Sequence, residues 1–467
     1  NLVVFDQGFV ALVIITNQRA TPAIQKGLGM LTASTFCKVK HHSFDVGVLR
    51  GGMHHERGQV SSFQALVVSV AGRVGSGNIA GVAVAITLGG PGAVFWMWLI
   101  GLMGMATSFF ECSLAQLFKR TEPDGSFRGG PAYYLTHGVR QRGLAAVYSV
   151  LLLLTFGLGF NAVQSYVVAT SLAESFGVAT WATGAVMVLV LGSVIFGGIR
   201  RIALVSEVIV PIMALMYFLA ALVVIALHIT EVPAALWSIV QSAFGIEQAV
   251  GGGLGAVILQ GVKRGLFSNE AGLGSAPNVA AVAHVPHPAN QGVVQAFSVF
   301  IDTMIMCSCT AVIILLSDVY QPGAPDVDGV LLTQLAMGSH VGDWGATFVS
   351  VALVLFAFSS ILYNYYLGDN SLSYFSDDNP TVANIFRVAV LGLVFWGSLQ
   401  DLSTVFGFAE LTMGLLALVN LVGLVWMYRI GMRLLRDYDT QLRQGEEPRL
   451  RPGDWRDLDI DEKSWPG

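Results

Sequence analysis

The chain has 467 residues, of which 54% are hydrophobic and only 12% charged, with a net charge of −5. A soluble domain carries about 25% charged residues, so the composition excludes an ordinary soluble protein and predicts an all-α chain that crosses a bilayer many times. No nucleotide, haem or metal motif is present, no nucleophile is paired with a base, and neither enzymatic activity nor a nucleic-acid partner is expected.

A spanning helix needs about 20 mainly apolar residues. Residues 1–16 are apolar but short, with Asp6 inside; they read as the end of a further span or as part of a signal sequence. The whole segment 1–59 has room for one extra N-terminal helix before a basic stretch holding Arg19, Lys26, Lys38, Lys40, Arg50 and Arg57. The pairs His41-His42 and His54-His55 lie in that stretch and read as solvated or headgroup-facing rather than metal-binding. Ten spans follow, near 60–88, 92–118, 144–172, 180–198, 202–228, 249–283, 290–317, 342–367, 382–398 and 402–428. They divide into a five-helix repeat at 60–228, a loop at 229–248 whose Trp237 and Phe244 suggest an interfacial helix, and a second five-helix repeat at 249–428. The tail 429–467 is charged, with Pro448 and Pro452, and reads as a solvated end. Of the four cysteines, Cys112, Cys307 and Cys309 sit in apolar runs and read as reduced packing residues.

Lys and Arg avoid alternate loops. Segments 173–179, 229–248, 318–341 and 399–401 contain none, whereas 119–143, 199–201 and the tail are basic. The positive-inside rule places 19–59, 119–143, 199–201 and the C-terminus in the cytoplasm of a plasma (inner) membrane protein.

The first and sixth spans are interrupted. One reads Gly72-Arg73-Val74-Gly75-Ser76-Gly77-Asn78, the other Lys263-Arg264-Gly265-Leu266-Phe267-Ser268-Asn269-Glu270-Ala271-Gly272. Glycine costs a helix interior about 1 kcal/mol, and unwound backbone in a membrane is tolerated only inside protein or along a cavity. A matched pair of such segments points to a transporter's binding site, and five spans per half, an odd number, make the halves an inverted repeat. The half-helix starting at Ser76-Gly77-Asn78 offers bare N–H groups to a carboxylate. The carbonyls from Ala71 to Val74 suit a cation, and the second break is expected to offer the same two poles. Gly75, Ser76 and Gly77 are small enough for a ligand to approach the main chain. The alternative is that these glycines only permit close helix packing.

Charges inside spans are costly. Arg73, Lys263, Arg264, Glu270, Asp302, Glu111 and Glu207 are expected to fix half-helix ends or gates rather than touch substrate, with Arg264 and Glu270 neutralising each other or neighbouring carbonyls near the break. In the third span Asn161 and Gln164 share a helical face, as interhelical glue or as pocket lining. In the eighth, Ser359 and Ser360 either bond back to their own helix or supply the oxygen ligands a hard cation such as sodium takes.

Three long runs, Gly75-Ser76-Gly77-Asn78-Ile79-Ala80-Gly81-Val82-Ala83, Leu88-Gly89-Gly90-Pro91-Gly92-Ala93-Val94-Phe95-Trp96-Met97-Trp98 and Arg264-Gly265-Leu266-Phe267-Ser268-Asn269-Glu270-Ala271-Gly272-Leu273-Gly274-Ser275-Ala276-Pro277, closely resemble the alanine or glycine:cation symporter family. Phe160-Asn161-Ala162-Val163-Gln164 and Gly129-Gly130-Pro131-Ala132-Tyr133-Tyr134 agree, and the resemblance runs from about Val60 to Trp426. It implies a leucine-transporter-type 5+5 fold and import of a small neutral amino acid with sodium. It further implies a pocket around Ser76, Gly77, Gly159, Gln164, Gly265, Phe267 and Asn269, to which the residue-level reading adds Gly75, Asn78, Asn161 and Ser268. Sodium would be held by Ala71, Val74, Ser359 and Ser360. The family usually carries Thr where Ser76, Ser359 and Ser360 stand, so a hydroxyl remains at each position.

Overall fold

Ser61 opens the first helix with a capping box: its hydroxyl takes the Gln64 N–H at 2.9 Å while the Gln64 side chain takes the Ser61 N–H at 3.1 Å. The computed structural model describes residues 60–465 apart from 124, 246–252, 321–328 and 377–378, so the expectations for 1–59 lie outside the described residues. Helix α1 (Ser62–Arg73) stops at the glycines, and after a π-turn (Gly77–Gly81) the chain continues as α2 (Val82–Gly89), bent by 49° from α1. Gly90 turns with φ 73°, a conformation that favours glycine, and Pro91 leads into α3 (Gly92–Leu117). A two-residue hairpin pairs Arg120–Thr121 with Phe127–Arg128. Next come α4 (Arg142–Phe176, with a π-turn at Leu153–Phe160), α5 (Thr180–Ile195), α6 (Gly198–Leu227) and α7 (Val232–Ala243).

The second half begins with α8 (Gly253–Asn269) and α9 (Ser275–Ala280), separated by a break where Glu270, Gly272 and Gly274 all have positive φ. It continues with α10 (Pro288–Leu315, with a π-turn at Phe300–Cys307), α11 (Gly329–Val341), α12 (Trp344–Ser376), α13 (Pro380–Gly397) and α14 (Leu402–Trp426). Helix α15 (Tyr428–Arg443) follows. The halves match in order and in length. The broken pair α1–α2 answers α8–α9. The 26-residue α3 answers the 28-residue α10, the 35-residue α4 the 33-residue α12, and the 16-residue α5 the 18-residue α13. Each predicted span has its counterpart.

The broken helices are buried at the centre, whereas α5, α6, α13 and α14 turn Leu189, Leu215, Val388 and Leu411 outward, the surface that hydrocarbon tails would cover. Helix α7 forms as expected and tucks its end beneath Trp96, whose indole donates to the Ala243 carbonyl at 3.1 Å. Cys112, Cys307 and Cys309 are free and buried.

Two features differ from the sequence reading. Helix α11 lies where only a loop was expected; 13 residues are too few to span, so a search for spans passes over it. The tail is docked rather than solvated: Trp455 and Trp465 are 2% and 3% exposed. Lys119 lies over the rings of Trp465 and Phe127 at 4.4 and 4.0 Å and donates to the Ala283 carbonyl. Burial pushes the Lys119 ammonium down to about 7. Arg120 pairs with Asp459 at 2.8 Å, and the Leu450 N–H reaches the Pro286 carbonyl at 2.9 Å. The high charge of the tail hid the two tryptophans that anchor it.

Candidate substrate and ion site

The two breaks meet. Arg73, at the end of α1 and 1% exposed, donates from Nε to the Asn269 carbonyl at 2.8 Å, and from the terminal nitrogens to Ser108 at 2.9 Å, the Gln295 carbonyl at 3.1 Å and the Ser298 hydroxyl. A cation there complements the C-terminal poles of both α1 and α8. At the other pole of the second break, Glu111 of α3 accepts from the Gly272 and Gly274 N–H groups at 3.3 and 3.2 Å and from Asn420 at 3.1 Å. Glu270, left-handed at φ 55°, is held by Ser275 at 2.7 Å and Tyr363 at 3.4 Å. The expectation that the second break offers free poles is therefore corrected: Arg73 and Glu111 fill them. That these charges fix half-helix ends agrees with the sequence reading.

The first break differs. Val74 ends α1 with its N–H on Val70 at 2.8 Å, and the Gly75 N–H goes to Asn78 Oδ1 at 2.9 Å. The Ser76 N–H meets Gln164 Oε1 only at 3.4 Å. The Ser76 hydroxyl is buried and has no hydrogen-bond partner among the described residues. A buried polar group without a partner is costly, so this hydroxyl and N–H mark the position a ligand can satisfy. Gly75 faces Gln164 and Ser360, and a Cβ on Gly77 would stand 3.1 Å from the Phe267 ring. Phe267 packs in turn on Phe160 and Phe406, with centroids 5.0 and 5.6 Å apart.

Ser76, Gly77, Gln164 and Phe267 thus converge. Asn78 and Ser268 lie beside them and hold Asp302, at 2.6 and 2.9 Å; Thr303 holds it at 2.8 Å. Three candidates face elsewhere. Gly159 admits Phe408 of α14, Gly265 packs on Met97 and Ile100 of α3, and Asn161 donates back to Gly157 at 2.9 Å. Asn269 turns its Oδ1 to the Ala271 N–H at 3.0 Å. Among the sodium candidates, Ser360 Oγ lies 3.1 Å and Ser359 Oγ 3.4 Å from the Ala71 carbonyl, while Val74 closes the same turn; Ser359 also donates back to the Phe356 carbonyl of its own helix at 2.9 Å.

Arg264 does not pair with Glu270. It binds Glu410 of α14 at 2.7 Å, with Lys263 at 3.6 Å from the same carboxylate and Phe406 beneath the guanidinium at 5.3 Å. Glu410 stands in an apolar run and could have been counted with the intramembrane charges. Above the first break, Gly329 of α11 sits against the Ala80 carbonyl and Val84. The void left between α11, Ala80, Tyr166 and Phe406 is about 10 Å³, room for roughly one water.

Two five-span halves, each opening on a broken helix, with the breaks in contact and a buried polar side-chain atom unpartnered at each (Ser76 Oγ and Asn269 Nδ2) among the described residues, define a secondary transporter of the leucine-transporter fold. MhsT in complex with L-phenylalanine superposes with a TM-score of 0.57 at 13% identity, covering 78% of this chain and 89% of that one. The profile of the sodium:alanine symporter family matches residues 14–452, and the chain belongs to that family. The match extends past both ends of the resemblance read from Val60 to Trp426. The chain is 43% identical to the probable sodium/glutamine symporter GlnT of Bacillus subtilis (strain 168), over 88% of this chain and 86% of that protein. It is 47% identical to the amino-acid carrier protein AlsT of the same organism, over 83% and 82%. The protein is accordingly a multi-pass membrane transporter that couples amino-acid movement to a cation, and not an enzyme.

Proposed function

We propose that the protein imports alanine or glycine in symport with sodium by alternating access across the plasma membrane, with the basic loops and the C-terminus in the cytoplasm. One observation carries this reading: the partnerless Ser76 hydroxyl and weakly held Ser76 N–H lie five residues from the Ala71 carbonyl that Ser359 and Ser360 approach. Solute and ion then share one unwound segment. Sodium on Ala71, Val74, Ser359 and Ser360 stabilises that segment and raises amino-acid affinity, and the coupling is reciprocal. The membrane potential adds about 2.3 kcal/mol per charge per 100 mV. The substrate carboxylate takes Ser76 and the Gly77 region, with Gln164 beside it. The Phe160, Phe267 and Phe406 rings favour a side chain no larger than a methyl group. Glutamine, named for GlnT, is the comparison that tests this size limit.

The test is uptake of labelled alanine into proteoliposomes, with competing amino acids including glutamine, and with sodium replaced by choline at fixed pH. Uptake unchanged in choline removes sodium and leaves a proton as the coupling ion. The proton carriers of that alternative would be Glu270 or Asp302; supporting sodium, Asp302 is held by donors from three residues and Glu270 by Ser275 and Tyr363, as suits struts more than proton carriers. Binding without counterflow would make the protein a sensor. Replacing Ser359 and Ser360 together by alanine is expected to raise the sodium concentration for half-maximal uptake far more than that of alanine; equal shifts would place the two hydroxyls in the substrate pocket.

A further inference from the structure

Two histidines distant in sequence meet on the face opposite the basic loops. His228 follows the last residue of α6, and His340 lies in the last turn of α11. His340 Nδ1 is 3.0 Å from His228 Nε2, with ring centroids 4.7 Å apart. The other two ring nitrogens are already engaged. His228 Nδ1 lies 3.4 Å from Glu231 Oε1, and His340 Nε2 lies 2.9 Å from the Ile313 carbonyl of α10.

Two neutral rings cannot make all three contacts hydrogen bonds at once, and the longest, His228 to Glu231 at 3.4 Å, joins two solvent-accessible side chains. Carbonyl and carboxylate oxygens accept only, and each neutral imidazole carries a single N–H. Three contacts in series need three hydrogens, and two neutral rings supply two. With both N–H groups turned to their oxygens, two lone pairs face each other across 3.0 Å. In that arrangement a positive species fits between them.

We propose that His228 and His340 form a transition-metal site, for which zinc(II) is the fitting ion. Two nitrogens bound to one tetrahedral zinc at about 2.0–2.1 Å stand roughly 3.3 Å apart, so the nitrogens need part by a few tenths of an ångström while both rings turn to aim their lone pairs at the ion. Each ligating histidine of such a site donates its second N–H to a carboxylate or a backbone carbonyl, the roles Glu231 and Ile313 fill here. Glu231 and Asp318 supply negative charge around the pair. No group of three or more metal-ligating side chains converges among the described residues. Water fills the remaining positions, and binding is weaker than at a closed four-ligand site.

The ion ties α6, α10 and α11 together. Helix α11 is the element seated over the first break, through Gly329 on Ala80 and Val84 and Thr333 on the Ile79 carbonyl at 3.5 Å. Zinc at this point holds α11 down and slows transport; that consequence rests on the transport function proposed above, whereas binding does not.

The experiment is zinc retention by the full chain after EDTA stripping and titration with zinc chloride, read by elemental analysis, beside zinc inhibition of alanine uptake. The expected result is about one zinc per chain, with affinity lowered at least about tenfold by His340→Gln or His228→Asn, and about tenfold by Glu231→Gln. Gel filtration and melting of each variant check its fold. Zinc retention that is the same in the double histidine variant overturns the site. So does the absence of zinc binding together with a histidine-dependent pH profile of uptake, which would assign the missing charge to a proton. Histidine-dependent binding that leaves uptake unchanged overturns the hold on α11. Histidine-dependent binding in a protein that transports no amino acid sustains the site and defeats the function proposed above.

Discussion

Arg73→Leu is expected to abolish alanine uptake in protein that still inserts and still elutes as a single species in detergent. The guanidinium serves acceptors on three other helices, at Asn269, Ser108 and Gln295–Ser298. Its loss strands buried acceptors, each costing about 1–3 kcal/mol, and removes the cation facing the C-terminal pole of α8. Insertion survives because a leucine makes the segment more apolar. Arg73→Lys should recover little, since an ammonium is a point charge and cannot reproduce the fork that spans these partners. The measurement is initial uptake in proteoliposomes, normalised to inserted protein, with thermal melting alongside. Uptake near wild type in Arg73→Leu would show that the two breaks need no common tie.

Gly77→Leu should be equally severe by a different route. A Cβ at Gly77 already stands 3.1 Å from the Phe267 ring, and the three further carbons of leucine would occupy the space beside Ser76. Phe267 is buried and packed between Phe160 and Phe406, which restrict how far its ring can yield. Overpacking of this kind costs roughly 1–3 kcal/mol in a well-packed core, a cost the bundle survives, but the ligand space is lost. Amino-acid binding and uptake should both vanish while sodium binding is reduced less. Normal uptake by this variant would move the pocket away from the first break.

Much of this was legible beforehand because the signals are local. Glycine clusters stop helices wherever they stand, and ten apolar runs of the right length leave few topologies. A hydroxyl pair such as Ser359-Ser360 in an apolar run asks for an explanation. What was not legible is pairing across long separations. Glu111 is 161 residues from the Gly272 N–H it caps, and Arg264 is 146 from Glu410; no spacing rule reaches that far, so Arg264 was matched with its near neighbour Glu270. Gly159 and Gly265 show the opposite limit. A glycine needed for helix contact and one lining a pocket look the same in sequence, and only the facing side chain separates them. The tail's charge reads as solvation, and the two tryptophans that seat it are a small part of its composition.

The grip of Arg73 has a mechanical consequence. Helix α1 enters the bundle from the basic face and α8 from the opposite one, yet their inner ends are fastened by the same side chain. Tilting either half-helix drags on the other, so the two doors of the passage turn on one pin. Under the alternating-access function proposed above, an arrangement of this kind would disfavour the state in which both stand ajar and would suppress solute leakage without any separate lock.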